Sequence, residues 1–85
     1  MANDELTEKQ EGFFKVIDRY IKENGVSPTR QELAELTEEK SINGVNQKLE
    51  QIRAKGYVRI HPPRKKRNIL ILKQPYKQMV LFDND

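Results

Sequence analysis

The stretch that decides the fold is residues 57–72, which read YVRIHPPRKKRNILIL. Residues 57–60 alternate between apolar and polar side chains and residues 69–72 form a short apolar run, so both segments are typical of β-strands. Between them lies a loop, residues 61–68, in which two adjacent prolines cannot donate ladder hydrogen bonds. The loop contains four consecutive cations, Arg64, Lys65, Lys66 and Arg67. A β-hairpin with such a tip is suited to contact a polyanion rather than to pack against its own domain.

Three helices are predicted upstream of this hairpin. The first two begin with a capping box, a threonine followed three residues later by Gln or Glu: Thr7 with Gln10, and Thr29 with Glu32. The third helix begins after Ser41, a favourable N-cap residue. Glycines at the ends of the first and third helices, and the loss of apolar pattern by Thr37 in the second, mark where the helices stop.

Each predicted helix has an apolar stripe at helical spacing. In the first helix the stripe is Phe13, Phe14, Ile17, Tyr20 and Ile21. In the second it is Leu33, Ala34 and Leu36, and in the third it is Val45, Leu49 and Ile52, with Ala54 near the helix end. These stripes, together with the hairpin, predict one small core.

This order of elements predicts a mainly α fold with a small β-hairpin, a winged helix-turn-helix of three helices and a two-stranded wing. The domain is expected to span residues 6–74, with an N-terminal tail of residues 1–5 and a C-terminal tail of residues 75–85. In this architecture the third helix, residues 42–55, is the recognition helix and enters the major groove of DNA. The wing, residues 61–68, lies on the DNA backbone or in the minor groove.

Basic and acidic residues divide unevenly along the chain. Residues 1–50 carry 7 basic and 11 acidic side chains, whereas residues 51–82 carry 9 basic and no acidic ones. The formal net charge of +3 therefore conceals a basic second half that is suited to a polyanion. The chain has no cysteine, which excludes disulfides and thiolate metal clusters. Its apolar runs are too short for a transmembrane helix or a secretory signal, so no membrane partner is expected.

Two strings in the predicted helices resemble the DNA-binding domain of the LexA family. Residues 28–34 read PTRQELA and residues 49–56 read LEQIRAKG. They match the family patterns Pro-Thr-Arg-x-Glu-[Ile/Leu]-Ala and Leu-x-x-[Leu/Ile]-x-x-Lys-Gly, and the similarity runs without gaps from residue 6 to about residue 58. One departure is Thr37-Glu38, where the family usually carries Leu-Gly, so the turn before the third helix is expected to be built differently.

The resemblance assigns residues to the DNA-reading face of the third helix. By matching position these are Ser41, Asn43, Gly44, Asn46 and Gln47. Their chemistry agrees, because Asn and Gln form paired hydrogen bonds with adenine, and Ser bonds a base edge or a phosphate. Ser41 is also an N-cap, and the two roles are compatible. Gly44 would allow the helix backbone to approach the groove closely.

Basic side chains of the second helix, the third helix and the wing are candidates for contacts with DNA phosphates. These residues are Arg30, Lys48, Arg53, Arg64, Lys65, Lys66 and Arg67. Arginine and lysine at such positions neutralise the backbone charge and fix the register of the protein on the duplex.

The last ten residues contain a second resemblance. Residues 78–82 read QMVLF and are similar to the pentapeptide Gln-[Leu/Met]-x-Leu-Phe, by which bacterial proteins bind the sliding clamp of DNA polymerase. The residues that would bind are Gln78, Met79, Leu81 and Phe82. A glutamine amide and two apolar anchors are a common way for a short peptide to bind a pocket. Packing on the domain and contact with a second copy are the other interpretations.

Members of the LexA family continue from this domain into a self-cleaving domain with an Ala-Gly cleavage site and a Ser/Lys pair. The 85 residues of this sequence leave no room for it, so autoproteolysis is not expected. No paired carboxylates, phosphate-binding glycine loop or nucleophile–base set indicates another reaction. The single histidine, His61, makes no metal site by itself. We therefore predict no enzymatic activity, no metal and no cofactor.

The sequence as a whole predicts a protein that binds double-stranded DNA sequence-specifically, as a transcriptional regulator or repressor of bacterial, phage or mobile-element origin. A homodimer on DNA and a location in the bacterial cytoplasm, on the nucleoid, are expected. One alternative is a replication or repair accessory protein that is attached to the sliding clamp. Another is a winged helix used for protein contacts.

Overall fold

The computed structural model describes residues 5–75. Its elements, in chain order, are α1 (Glu8–Asn24), α2 (Arg30–Leu36), α3 (Ile42–Ala54), β1 (Val58–Ile60) and β2 (Ile69–Ile71). The predicted fold class, three helices followed by a two-stranded wing, is confirmed. The segment that resembles a clamp-binding peptide, with Gln78, Met79, Leu81 and Phe82, lies outside the described residues.

The helices begin where local sequence predicts. At the start of α1, the Thr7 hydroxyl accepts a hydrogen bond from the Gln10 amide (3.1 Å), and the Gln10 side chain accepts one from the Thr7 amide (3.0 Å). Thr29 and Glu32 form the same reciprocal pair at α2, over 3.0 and 2.9 Å. Both capping boxes therefore bind amides that the first helical turn leaves without partners. Gly25 ends α1 with φ at 78°, a conformation that glycine adopts without steric cost.

The core lies where the three helical stripes meet one face of the hairpin. Its buried apolar residues are Phe13, Phe14, Ile17, Leu33, Val45, Leu49, Ile52, Tyr57, Val58 and Ile69. The rings of Phe14 and Tyr57 meet edge to face, with their centroids 6.1 Å apart. The predicted stripe of α3 is buried on all three positions, which fixes the rotation of that helix about its axis.

Several apolar residues of the predicted stripes lie outside the core. Leu36 is 55% exposed because α2 ends at this residue, at the edge of the domain. Ala54, at the last position of α3, is also exposed. In the hairpin, Leu70 and Leu72 are exposed, because a two-stranded sheet that packs on one face buries only alternate residues. The apolar run of residues 69–72 is therefore half buried.

The turn between α2 and α3 has its own hydrogen bonds. The Thr37 hydroxyl donates to the Leu33 carbonyl (2.7 Å) and accepts from the Glu39 amide (3.2 Å). A threonine side chain thus stabilises the chain reversal in which the family usually has Leu-Gly. The Thr37 hydroxyl is thus the side-chain group that holds this turn, and its difference from the family turn stays a prediction.

In the structure the wing consists of β1, the loop of residues 61–68 and β2, and its two strands form a short antiparallel ladder. Val58 pairs with Ile71, and Ile60 pairs with Ile69. Beyond the ladder, the His61 amide donates to the Asn68 carbonyl over 2.9 Å. The buried Asn68 side chain donates to the carbonyl of Pro62 over 2.8 Å, so it connects the two ends of the loop.

One arginine connects the wing to the helices. The Arg67 guanidinium donates to both carboxylate oxygens of Glu32, each over 2.9 Å, and to the Ser27 carbonyl over 3.0 Å. The hydrogen bonds from Arg67, followed by the one from the Thr29 amide, lower the pKa of Glu32 from 4.5 to about 2. Glu32 therefore serves two structural functions, as capping residue of α2 and as partner of the wing.

The Glu32→Gln variant separates these two functions, because a glutamine oxygen still accepts from the Thr29 amide but provides no charge for Arg67. The lowered pKa of Glu32 means that between about pH 4.5 and about pH 2 the unfolded chain binds a proton that the folded chain does not. The wild-type free energy of unfolding should therefore fall as the pH drops through this window, with a shallower fall in Glu32→Gln. Urea unfolding at a series of pH values measures both slopes, and equal slopes would contradict the prediction.

Candidate nucleic-acid interface

The outward face of α3 presents a row of uncharged polar side chains. Asn43, Asn46 and Gln47 are exposed, and the helix buries its opposite face through Val45 and Leu49. Residues three and four apart lie side by side on a helix, so the three amides form one surface. Each amide carries both a donor and an acceptor, which is the pattern that an adenine edge pairs with in the major groove.

Ser41 lies at the beginning of this row and caps α3. Its hydroxyl oxygen accepts from the Gly44 amide over 3.0 Å, and the side chain is exposed. A serine hydroxyl that accepts one hydrogen bond still has its own proton to donate. The capping role and a contact with a base or phosphate are therefore compatible in the geometry found.

Gly44 lies off this row. A Cβ atom at this position would be 2.7 Å from Oε1 of Glu39, in the turn before α3. The missing side chain thus makes room for the Glu39 carboxylate, and a close approach of the helix backbone to a groove stays a prediction. The physical reason is the helical period, which turns Gly44 toward the α2–α3 turn while Asn43 and Gln47 face outward.

An acidic residue that the sequence interpretation missed belongs to the same outward face. Glu50 is exposed and lies seven residues after Asn43, two turns along the helix. It pairs with the Arg53 guanidinium over 2.6 and 2.9 Å, and this hydrogen bonding lowers the pKa of Glu50. The carboxylate is therefore an ionised acceptor, suited to the amino group of cytosine. The spacing of seven residues between Asn43 and Glu50 was the sequence signal that places Glu50 on this face.

A cleft of about 500 Å³ lies between α2, α3 and the wing. Its lining residues are Thr29, Arg30, Gln31, Asn46, Pro63, Lys65, Lys66 and Asn68. The cleft is where the recognition helix and the wing approach each other, since Asn46 comes from the first and Lys65 and Lys66 from the second. Thr29 and Gln31 are further polar residues here, and only the folded chain shows their position beside the wing.

Three wing cations extend into solvent. Arg64, Lys65 and Lys66 are exposed, and within residues 5–75 their side chains make no hydrogen bond or ion pair. Arg30 lies beside them and donates to the Lys66 carbonyl over 3.4 Å. Burial lowers the pKa of Arg30 from its ordinary value, and an arginine stays charged at neutral pH despite such a shift.

The other three cations predicted to contact phosphates have carboxylate partners. Lys48 is 18% exposed at its side chain and lies 3.4 Å from Glu39, between the outward and the buried faces of α3. Arg53 is held by Glu50, and its pKa is raised by that partner. Arg67 is held by Glu32, which raises its pKa as well. The structure thus separates the predicted set into cations that are available to DNA and cations that are already paired.

None of the helices within residues 5–75 is both long and apolar enough to cross a membrane. Across those residues, no three His, Asp or Glu side chains are grouped so that they would hold a metal ion.

The chain matches the family model described as LexA DNA binding domain over residues 3–67. It is 34% identical over 71 residues to the LexA repressor of Alcanivorax borkumensis, and the alignment covers 84% of this chain and 34% of that protein. It is 40% identical over 58 residues to the LexA repressor of Caldicellulosiruptor saccharolyticus, covering 68% of this chain and 29% of that protein. The chain spans about a third of the length of these relatives. On the match over residues 3–67 and these identities, the chain belongs to the LexA DNA-binding domain family.

Proposed function

We propose that this chain binds double-stranded DNA in a sequence-specific manner and acts as a transcriptional regulator. The observation that carries the proposal is the cleft in which Asn46 of α3 and Lys65 and Lys66 of the wing come together. Amides that read bases and cations that bind phosphates are thereby next to each other on one side of the domain. A winged helix on B-DNA requires this arrangement, with α3 in the major groove and the wing along the backbone.

Specificity is assigned to the outward row of α3. Asn43, Asn46 and Gln47 supply amides for adenine, and Ser41 supplies a hydroxyl at the helix start. Glu50 adds an acceptor for cytosine at the far end of the row. The cation on this face, Arg53, is paired with Glu50, so the base-reading surface gains little from the general attraction between protein and DNA. Affinity must come from elsewhere in the domain.

Affinity is assigned to Arg30, Arg64, Lys65 and Lys66, which border the cleft or extend from the wing tip. Each cation that neutralises a phosphate releases a condensed counterion, and this release favours binding. Lys48, Arg53 and Arg67 would have to leave their carboxylate partners before they could contribute in the same way.

The regulatory part of the proposal comes from the relatives, whose printed names are LexA repressor. A domain of this family that occupies an operator would act by position on the chromosome, within the bacterial nucleoid, and needs no catalytic group of its own. One domain contacts few bases, so two copies on a palindromic site would provide the specificity that a single copy lacks.

The salt dependence of binding tests the assignment of the phosphate contacts. With four available cations, the logarithm of the affinity for duplex DNA should fall with the logarithm of salt concentration with a slope of about −3.6. The triple variant Arg64→Ala, Lys65→Ala, Lys66→Ala should reduce this to about −1. Fluorescence anisotropy with a labelled duplex measures both slopes.

A matched control removes the same charge from α1, at residues that do not line the cleft, through Lys9→Ala, Lys15→Ala and Lys22→Ala. That variant should keep the wild-type slope. A wing variant that also keeps the wild-type slope would contradict the proposed backbone contacts.

Base reading is tested by the triple variant Asn43→Ala, Asn46→Ala, Gln47→Ala, after selection of a preferred site from random duplexes. Preference for the selected site over random DNA should fall by a factor of about 100 or more, since each of the three bidentate contacts contributes about 1–3 kcal/mol of discrimination. Binding to random DNA should stay the same, because no phosphate contact is lost. Asn24→Ala, an amide loss at the end of α1, is the control, and equal losses on both DNAs would contradict the assignment.

We also propose a partner for the C-terminal segment, on the strength of its sequence alone. Residues 78–82, QMVLF, place a glutamine and two apolar anchors at the spacing of a clamp-binding pentapeptide. A chain attached to the clamp in this way would be held near replicating DNA at an effective concentration on the order of millimolar. This function would be added to DNA binding and does not replace it.

The pentapeptide provides its own control. Leu81→Ala and Phe82→Ala should abolish binding of the full chain to a purified bacterial sliding clamp, because they remove the apolar anchors, whereas Val80→Ala changes the variable position and should not. Surface plasmon resonance measures binding, and thermal unfolding is recorded for each variant. Unchanged clamp binding in the Leu81 and Phe82 variants would refute the proposal, and a lowered melting temperature would instead indicate packing on the domain.

A further inference from the structure

Arg67 differs from the three cations that precede it on the wing. Arg64, Lys65 and Lys66 extend into solvent, whereas the Arg67 guanidinium is directed to the helices. Its position in a run of four cations predicts a phosphate contact. Its hydrogen bonds indicate a different function.

The contacts of Arg67 reach three separate segments of the helical body. Both oxygens of Glu32, in α2, accept from it over 2.9 Å. The Ser27 carbonyl, in the α1–α2 connection, accepts over 3.0 Å, and the Tyr20 hydroxyl, in α1, lies 3.3 Å away. A planar guanidinium that meets a carboxylate through two parallel hydrogen bonds is held in orientation as well as in distance.

Two further contacts hold the backbone on either side of Arg67. The Arg30 guanidinium donates to the Lys66 carbonyl, and the Ile69 amide donates to the Ser27 hydroxyl over 3.2 Å. The end of the loop and the first residue of β2 are therefore bound to the helical body at residues 66, 67 and 69. The three exposed cations end at Lys66, where this bound segment begins, so their position relative to α3 depends on it.

We propose that Arg67 is a positioning residue, whose pairing with Glu32 fixes the wing against α2 so that the tip cations and the α3 row bind DNA together. The inference rests on the proposed function and assigns to Arg67 a role in DNA binding that requires no contact between Arg67 and a phosphate. It also gives Glu32, an acidic residue near the DNA surface, a positive role in DNA binding.

The physical reason is the small size of the wing. Strands of three residues form few ladder hydrogen bonds, and a two-stranded hairpin by itself is only marginally stable in water. A wing without an attachment would sample many orientations, and binding would then lose the free energy needed to order it. A wing held by Arg67 meets DNA with its cations already in place.

Glu32→Gln gives opposite results under the two interpretations of Arg67. If Arg67 binds phosphate directly, removing its carboxylate partner frees the guanidinium and removes a negative charge, so binding to duplex DNA becomes tighter. If Arg67 positions the wing, the same change weakens binding by about tenfold, since the tip loses part of its phosphate contacts. The glutamine keeps the capping box, and circular dichroism confirms that the variant is folded.

Arg67→Lys provides the second comparison. Lysine keeps the charge and can bind phosphate, but it lacks the planar fork that meets both Glu32 oxygens. The positioning role predicts a loss of affinity close to that of Glu32→Gln. Arg19→Lys, the same exchange at an arginine of α1 that pairs with Glu23, is the control and should bind like the wild type. Full affinity in Arg67→Lys, or tighter binding by Glu32→Gln, would overturn the proposal.

The tip variant Arg64→Ala, Lys65→Ala, Lys66→Ala shows whether Glu32 acts through the wing. In that background Glu32→Gln should have no further effect on affinity for a random-sequence duplex, and an equal effect in both backgrounds would overturn the proposal.

The free protein gives an independent readout, because exchange of the Ile69 amide with solvent should be faster in Glu32→Gln. Absence of DNA binding by the wild type would refute the proposed function alone. Unchanged exchange at Ile69 would refute the positioning role.

Discussion

The burial of one face of α3 is the constraint on which the rest of this structure depends. Val45, Leu49 and Ile52 are buried against residues of α1, α2 and the hairpin, and their spacing leaves a single rotation of the helix that buries all three. Helical geometry then directs Asn43, Asn46 and Gln47 outward, without any contact that specifies this directly. The polar row of the proposed DNA surface is therefore a consequence of core packing. A change in the stripe would rotate the row as well as weaken the domain.

The charge that this surface offers to DNA depends on which cations are paired with carboxylates as well as on how many cations there are. Three of the seven cations that are candidates for phosphate contacts have carboxylate partners, and these partners are Glu39, Glu50 and Glu32. For Arg53 and Arg67, the acidic half of the chain thus supplies the partners of cations in the basic half. Exposed ion pairs add little stability. Their effect here is to decide which cations stay available and where the wing lies.

The sequence predicted the elements well because their signals are local. Capping boxes at Thr7 and Thr29, the N-cap Ser41 and the glycine that ends α1 act within four residues of their own positions, so the helices begin and end where expected. The outward direction of Asn43, Asn46 and Gln47 followed from helical period. Glu50 lies on the same face by the same period, but an acidic side chain does not fit the pattern of basic and amide residues that indicates a DNA surface. The exposure of Leu36 and Leu70 required knowledge of which faces have something to pack against.

The sequence by itself determined the order of the elements, the buried stripe of α3 and the basic tip of the wing, because hydrogen-bond caps and apolar periodicity operate between near neighbours. Only the tertiary structure decided the function of individual charges. Arg67 lies in a run of cations, yet its partners are at residues 20, 27 and 32, and Gly44 lies in the recognition helix, yet it faces Glu39. Hydrogen bonds and ion pairs form between groups that are close in space. Folding brings together residues that are far apart along the chain, and no local sequence pattern indicates which of them will meet.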